Sequence, residues 1–243
     1  MYSIKATLEY EGFHYSKELW DFLRETHFNF DGLKIEDGYS GKKVLFEDFG
    51  NYLNLHDMED FRVEFSDGSI DYGDVNDSNL ATLYIKNLVL NEADADQWLI
   101  HLIQDDRFVH AAFYDFEYDI WQNMDDLMYY ETSNRSYDHL PLKSNGLPFP
   151  LEATVVDTNN NPGRYVFRNG YIEFVGSVMW LGEQFWEKTG TCKDMVLACD
   201  WLEIKEIGSV IRIKALDKVF TTAEGREGEL QNNLRNLLYF YNR

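Results

Sequence analysis

The sequence predicts an α+β fold in which several helices pack on a mixed, mainly antiparallel β-sheet. Short runs of β-branched and aromatic residues alternate with turn signals, and apolar residues recur at helical spacing in three longer segments. Strands and helices alternate irregularly, unlike the regular order of a parallel sheet. With 44% hydrophobic and 16% aromatic residues, the chain of 243 residues has enough apolar side chains for a substantial core.

The first part of the chain is predicted to be rich in strands. These strands are expected at residues 3–10, 29–36, 43–48, 61–65, 70–72 and 80–90. A helix is expected between the first two of them. Ser16 is suited to cap it, and it should extend to His27, because Leu19, Phe22 and Leu23 share one face.

The next part is predicted to begin with a well-capped helix. Asn91 is followed three residues later by Asp94 in the arrangement of a capping box, and the helix is expected to end near Gln104. A buried strand at 107–114 and a short helix around 122–129 should follow.

The segment from His139 to Gly190 is unusual because it contains all four prolines, namely Pro141, Pro148, Pro150 and Pro162. Proline fixes φ and lacks a backbone donor, so residues 140–150 are predicted to form an extended strap rather than a helix or a central strand. We expect the apolar side chains of this strap to anchor it by burial. They are Leu140, Leu142, Leu147, Phe149 and Leu151.

A hairpin is predicted after the strap. Asn169 and Gly170 separate two strand-like runs, which indicates a type I′ turn with positive φ at both residues. Gly190 is then placed to end a helix. The aromatic residues before it, Trp180, Phe185 and Trp186, indicate a hydrophobic core, and the floor of a binding cleft is the alternative.

The rest of the chain is predicted to form a second hairpin and a final helix. Residues 196–205 and 210–216 are the expected strands, and the helix should run from 226 to 241. We divide the chain into an acidic, β-rich unit, residues 1–90, and an α+β unit, residues 91–243. One continuous domain is the alternative.

The net charge of −21 is distributed very unevenly. Residues 1–138 contain 30 acidic and 10 basic residues, whereas residues 139–243 contain 13 and 12. Spread evenly over a globule of that size, the excess charges would lie about 15 Å apart, beyond the Debye length of about 8 Å at physiological salt. A charge-based function therefore requires clusters. The clusters in the sequence are Asp57/Glu59/Asp60, Asp67/Asp71/Asp74/Asp77, Asp105/Asp106, and Asp115/Glu117/Asp119 with Asp125/Asp126.

Several kinds of chemistry find no support in the sequence. The phosphate-binding motifs and the GxSxG nucleophile motif do not occur, and the six histidines are too scattered for a zinc pattern, so no cofactor or metal is expected. The acidic charge opposes binding to nucleic acid. Cys192 and Cys199 are interpreted as small buried residues. No apolar run is long enough for a membrane span, and no secretory signal is recognised, so the cytoplasm is the expected location.

The stretch 114–131, YDFEYDIWQNMDDLMYYE, combines acids with aromatic residues that lack a core periodicity. Such a combination is typical of a surface that binds a basic protein. The residues expected to contact the partner are Asp115, Glu117, Tyr118, Asp119, Trp121, Asp125, Asp126 and Tyr129. Reversing Asp119, Asp125 and Asp126 to lysine is expected to weaken binding and leave the fold intact.

In composition the chain resembles the acidic immunity proteins of bacterial polymorphic toxin systems, many of which guard against basic nucleases. The resemblance rests on charge and composition, so no residue is carried over from it. It implies an inhibitor of a basic protein, such as a toxin nuclease. The alternative is a hydrolase whose cleft lies beside the 139–150 segment and combines Arg135, Asp138 and His139 with Trp180 and Glu183.

Overall fold

A computed structural model describes residues 1–10, 13–24, 34–36, 41–56, 60–65, 68–75, 78–87 and 91–239. The predicted α+β class is confirmed, because helices pack on an antiparallel sheet of eight strands. The strands are β1 (Tyr2–Glu9), β2 (Lys34–Glu36), β3 (Lys43–Leu45), β4 (Phe61–Phe65), β5 (Gly68–Val75), β6 (Leu80–Asn87), β7 (Phe108–Asp115), β8 (Leu142–Ser144), β9 (Thr154–Val156), β10 (Val166–Arg168), β11 (Tyr171–Glu173), β12 (Val178–Leu181), β13 (Glu203–Ile207) and β14 (Val210–Lys214). The helices are α1 (Phe13–Arg24), α2 (Phe46–Leu55), α3 (Glu92–Leu99), α4 (Phe116–Asn123), α5 (Leu127–Thr132), α6 (Glu183–Thr189), α7 (Lys193–Leu197) and α8 (Gly225–Tyr239), with a 3₁₀ turn at Leu102–Gln104.

The large sheet has the order β13-β14-β12-β7-β1-β6-β5-β4. Strand β1 lies between β6 and β7 and pairs with both in antiparallel register. Residues 1–90 and 91–243 therefore contribute strands to the same sheet.

Each face of the sheet has its own apolar core, because side chains alternate between the faces along every strand. On the first face, Ile4 and Leu8 pack with residues of α1, α2 and α3, and Trp20 lies 4.9 Å from the rings of both Phe46 and Phe49. On the second face, the buried side chains come from β7, β12, β14 and the helices α6, α7 and α8. The sheet is thus covered by helices on both sides of its central strands.

Several predictions about the first ninety residues need correction or fall partly outside the described chain. Ser16 does not cap α1, because the helix begins at Phe13 and Ser16 is buried within it. Residues 46–48, predicted as strand, begin helix α2, because Phe46, Phe49 and Leu53 follow helical spacing and are all buried. Helix α1 is described to Arg24, so its predicted end at His27 lies outside the described residues, as does most of the strand predicted at 29–36.

The predicted capping box of α3 is confirmed. The side chain of Asn91 accepts hydrogen bonds from the backbone N–H groups of Ala93 and Asp94, and the carboxylate of Asp94 accepts one from the backbone of Asn91. The α-helix ends at Leu99, earlier than predicted, and the chain continues into the 3₁₀ turn.

Replacing Asn91 by alanine is expected to lower the free energy of unfolding by about 1 kcal/mol, because the first turn of α3 loses both hydrogen bonds. Chemical denaturation measures the loss. The exposed Asn233, in the middle of α8, is a matched control. Its replacement by alanine should not destabilise the protein, so equal losses in the two variants would contradict a capping role.

The proline-containing strap differs from its prediction. Its strand β8 pairs with β9, which lies beyond the strap, and apart from the half-buried Leu140 its predicted apolar anchors are not buried. Phe149 is 89% exposed, and Leu142, Leu147 and Leu151 are also exposed. Polar bonds from Asn145 organise the loop instead. Its amide nitrogen donates to Leu151 O, and its oxygen accepts from the N–H groups of Leu147 and Ala153.

The hairpin predicted around Asn169 and Gly170 is confirmed as β10 and β11. The turn is not type I′, because Gly170 has a φ of +81° whereas Asn169 is not among the described residues with positive φ. Gly190 ends α6 as predicted, with a φ of +68° and its N–H donating to Trp186 O. Met179 and Trp180, which precede Gly190 in the sequence, lie in strand β12 and not in helix α6.

The second predicted hairpin is confirmed with shifted bounds. It consists of β13 and β14, whereas Val196 lies in α7 and not in a strand. Cys192 is exposed, contrary to the expectation of burial, because it precedes the first turn of the short helix α7 at the surface. Helix α8 confirms the predicted final helix as far as Tyr239, the last described residue.

Candidate functional site: an acidic and aromatic surface on α4 and α5

Two aspartates determine where the chain turns into helix after β7. The carboxylate of Asp115 accepts a hydrogen bond from Tyr118 N at 2.9 Å and caps α4, and that of Asp126 accepts one from Met128 N at 2.9 Å and caps α5. The single helix predicted around 122–129 is therefore wrong in detail. Two short helices replace it, because each aspartate begins a new one.

The inner side of α4 carries a buried ion pair with the central strand. Lys5 Nζ lies 3.5 Å from Asp119 Oδ1, and the hydroxyl of Tyr165 donates to Asp119 Oδ2 at 2.5 Å. The lysine side chain is 1% exposed, and burial lowers its pKa to about 8. Burial also raises the pKa of Asp119, and Lys5 and Tyr165 oppose that rise. Asp119 thus lies beneath the surface and not on it.

Further hydrogen bonds hold α4 against the second half of the chain. The hydroxyl of Tyr118 donates to Gln231 Oε1 in α8 at 3.0 Å. Gln122 is buried, and its side-chain oxygen accepts from Gly163 N at 3.0 Å. The helix is therefore a fixed support for the side chains on its outer side.

The outer side carries carboxylates without basic partners. Residues 115–138 contain seven acidic residues and one basic residue, Arg135. Five of these acids are exposed and form no ion pair with any residue in the described part of the chain. They are Glu117, Asp125, Asp126, Glu131 and Asp138. We call them the acidic surface.

Aromatic rings lie among these carboxylates. The ring of Trp121 is 5.6 Å from that of Tyr129 and 5.0 Å from that of Tyr130. Tyr130 is buried, and its hydroxyl donates to Met124 O, whereas Tyr129 is 41% exposed. The guanidinium carbon of Arg135 lies 4.2 Å from the centre of the Trp121 ring.

A cavity of about 580 Å³ opens beside the rings. Its lining comes from α4, α5, the strap, β9 and the loop before α8. The polar and charged residues of this lining include Asp115, Glu117, Arg135, His139, Asp157 and Glu224. Asp157 accepts a hydrogen bond from Lys143 Nζ at 3.0 Å, and this bond lowers the pKa of the Asp157 carboxyl.

The other acids of the first 138 residues do not form a single surface. Asp71 pairs with Arg62 and Lys86, and Asp105 pairs with Arg107. Basic residues from the second half of the chain form ion pairs with other acids of the first half. Arg212 contacts Glu92 and Asp96, Lys214 contacts Glu92, and Lys188 contacts Glu9. Asp57, Glu59, Asp67 and Asp77 lie outside the described residues.

The structure brings most of the expected contact residues together. Asp115, Glu117, Tyr118 and Trp121 line the cavity. Asp125, Asp126 and Tyr129 are exposed at or near the start of α5. For the partner surface, the sequence interpretation left out Tyr130 and Tyr137, and it assigned Arg135 only to the hydrolase alternative. The available signal was Asn134 after an aromatic helix, since asparagine adopts the left-handed conformation that ends helices.

The residues proposed for a hydrolase are not brought together. Arg135 and His139 line the cavity, and Asp138 is exposed nearby, where it accepts a hydrogen bond from Ser136. Trp180 is fully buried in the core of the first sheet face, whereas Phe185 belongs to the core of the second. Trp180 and Phe185 therefore do not line a common cleft, and Glu183 pairs with Lys193.

Two searches of the described residues gave negative results. No group of three or more histidine, cysteine, aspartate or glutamate residues there is arranged to hold a metal ion. No helix in the same part of the chain has the length and apolar character needed to cross a bilayer. In comparisons with known proteins, no protein-family model, no curated protein and no solved structure matches this chain.

Proposed function

We propose that this protein binds a basic protein partner through the acidic surface and the rings of Trp121 and Tyr129, and that it inhibits this partner as an immunity protein does. The observation that carries the proposal is the group of five exposed carboxylates without ion pairs in the described chain. Elsewhere in the first half, acids such as Asp71, Asp105 and Glu92 are paired with basic residues.

The spacing of the charges supports a local electrostatic field. Helix α5 spans Leu127–Thr132, and at 1.5 Å per residue it is about 9 Å long, similar to the Debye length of about 8 Å. Asp125 and Asp126 lie just before its first residue and Glu131 lies in its last turn, so their fields add instead of being fully screened from one another. Such a field speeds association with a cationic surface and disfavours anionic partners.

Exposed apolar groups add contact area next to the charges. The hairpin of β8 and β9 is joined to α5 by the hydrogen bond from Val156 N to Asp125 O at 2.9 Å. Its loop exposes Phe149 and Leu151, and α5 exposes Met128. Aromatic and apolar anchors surrounded by polar groups are typical of protein interfaces.

A charge-reversal experiment tests the proposal. The site variant replaces Glu117, Asp125 and Asp138 by lysine, because these side chains are exposed and none of them caps a helix. The control variant makes the same replacement at Asp200, Glu203 and Glu206, which are exposed on and beside the edge strand β13. Both variants change the net charge equally, so only the position of the charges differs.

The wild-type protein and both variants are immobilised and incubated with a lysate of the cells that encode the chain. We expect the wild type and the control variant to retain a protein with an isoelectric point above about 9, and the site variant to retain at least about tenfold less of it. Raising the salt concentration from 0.1 M to 1 M should release it, because the Debye length falls from about 10 Å to about 3 Å. Equal retention by both variants, or no retention by the wild type, would overturn the proposal.

The hydrolase remains the second candidate, because Arg135, His139 and Asp157 line one cavity. A binding function and a catalytic function respond differently to the replacement of His139 by alanine. Binding of the basic partner should persist in this variant, since His139 is not one of the carboxylates that form the acidic surface. A hydrolytic activity that is present in the wild type and absent in the variant would establish the second candidate.

A further inference from the structure

The rings beside the acidic surface contact one another in a continuous group, and the guanidinium of Arg135 lies over one of them, Trp121. Trp121 contacts Tyr129 and Tyr130, and the ring of Tyr130 lies 6.0 Å from that of Tyr137 at an angle of 75°. Hydrogen bonds fix two of the rings, because Tyr130 donates to Met124 O and Tyr137 donates to Glu131 Oε1. We call the four rings the aromatic cage.

The backbone at the end of α5 delivers Arg135 into this cage. Asn134 has a φ of +53°, its N–H donates to Glu131 O, and the N–H of Arg135 donates to Tyr130 O. These two bonds form a Schellman motif, in which the second residue beyond the helix turns back over its last turn. The guanidinium of Arg135 is thereby placed against the face of Trp121.

Within the described chain, the guanidinium of Arg135 is held by its contact with the ring of Trp121. It is exposed, and it forms no ion pair with any described carboxylate, although Asp125 and Glu131 flank the same rings. A cation on an exposed aromatic face is bound weakly. A second cation can therefore displace Arg135, and the unpaired carboxylates of the acidic surface would attract it electrostatically.

We propose that the aromatic cage is the receptor for an arginine side chain of the basic partner, and that Arg135 occupies it in the absence of that partner. The occupant is an arginine because the cage already holds a guanidinium 4.2 Å from the centre of an indole ring, a contact that suits this group. This inference rests on the proposed function. Arg135 acts as an internal competitor, so the apparent affinity of the free protein is lower than that of an empty cage.

The test uses a small probe instead of the protein partner. N-acetyl-arginine amide is titrated into the isotope-labelled protein, and the indole N–H signal of Trp121 is followed by NMR. Replacing Arg135 by alanine should tighten binding of the probe roughly two- to fivefold. The factor is small because Arg135 competes for the ring face through an exposed cation–π contact, which is weak. The corresponding citrulline amide, which has the same shape without the charge, should not bind.

Two control variants accompany this titration. Replacing Arg226 by alanine removes one exposed positive charge in the first turn of α8, so it changes the net charge equally and should leave the probe affinity unchanged. Replacing Tyr129 by alanine removes the most exposed ring of the cage and should weaken binding of the probe in the background that lacks Arg135.

The proposal is overturned if the Arg135 and Arg226 variants bind the probe equally, or if loss of Tyr129 has no effect. These outcomes leave the charge-reversal experiment untouched, so the acidic surface can stand without the cage. If both charge-reversal variants retain a partner equally while the probe results hold, the cage stands and the proposed protein partner does not.

Discussion

Replacing Asp119 by alanine is expected to lower the free energy of unfolding by about 3 to 5 kcal/mol, because it leaves the ammonium group of Lys5 buried without its carboxylate. The lysine is 1% exposed and belongs to the central strand of the sheet, so water cannot replace the lost partner. The hydroxyl of Tyr165 also loses its acceptor. Urea denaturation at pH 7 measures this loss.

Two further variants separate the buried pair from the exposed charges of the same segment. Replacing Asp125 by alanine removes an exposed carboxylate and should change the stability by less than about 0.5 kcal/mol. Replacing Lys5 by methionine together with Asp119 by alanine should restore much of the stability, because no charge is then buried alone. If the Asp119 and Asp125 variants are equally stable, the inward placement of Asp119 is wrong.

This result bears directly on the expectation, made from the sequence, that Asp119, Asp125 and Asp126 are equivalent. The structure separates them. Asp115 fixes the start of α4, which turns Asp119 towards the sheet, and Asp126 caps α5. A sequence of alternating acids and aromatics does not reveal this, because the phase of the helix depends on which aspartate caps it. The partner of Asp119 is Lys5, which is far from it in the sequence.

The features that the sequence predicted correctly depend on neighbouring residues. The capping box of Asn91, the hairpin at Gly170 and the helix end at Gly190 each require a particular side chain or backbone angle within a few positions. The irregular order of strands and helices was also sufficient for the fold class. Local signals of this kind are encoded within a few residues and do not depend on the tertiary structure.

The features that the sequence predicted wrongly depend on distant contacts. Residues 46–48 follow the apolar pair Val44 and Leu45, which predicts that they continue that strand, but the ring of Trp20 in α1 accepts Phe46 and Phe49 only if they lie on one side of a helix. Burial of the strap was inferred from its leucines, yet the hydrogen bonds of Asn145 hold the loop without it. The acids and rings of the candidate surface were recognised, whereas Arg135, which follows a turn at Asn134, was assigned to the hydrolase cleft and not to this surface.

A second large effect is expected from His110, which is fully buried next to the rings of Phe174 and Phe185, at 4.5 and 5.4 Å. Neither ring nitrogen has a hydrogen-bond partner in the described chain. Burial, together with the positive charge of Lys5, lowers the pKa of His110 from 6.5 to about 3. The folded protein therefore keeps this imidazole neutral at pH values where the unfolded chain protonates it.

The sign of the pH dependence follows from this difference. Between pH 6.5 and 3 the unfolded state binds more protons at this residue, so acidification favours unfolding. At pH 4.5 the loss amounts to about 2 to 3 kcal/mol relative to pH 7, because each pH unit below the unfolded value contributes about 1.36 kcal/mol. Replacing His110 by leucine should remove this part of the acid sensitivity, and the difference in stability between pH 7 and 4.5 should shrink by that amount. An imidazole signal of His110 that titrates near pH 6.5 in the folded protein would contradict the prediction, since it would show that the ring is accessible to water and carries its charge without penalty.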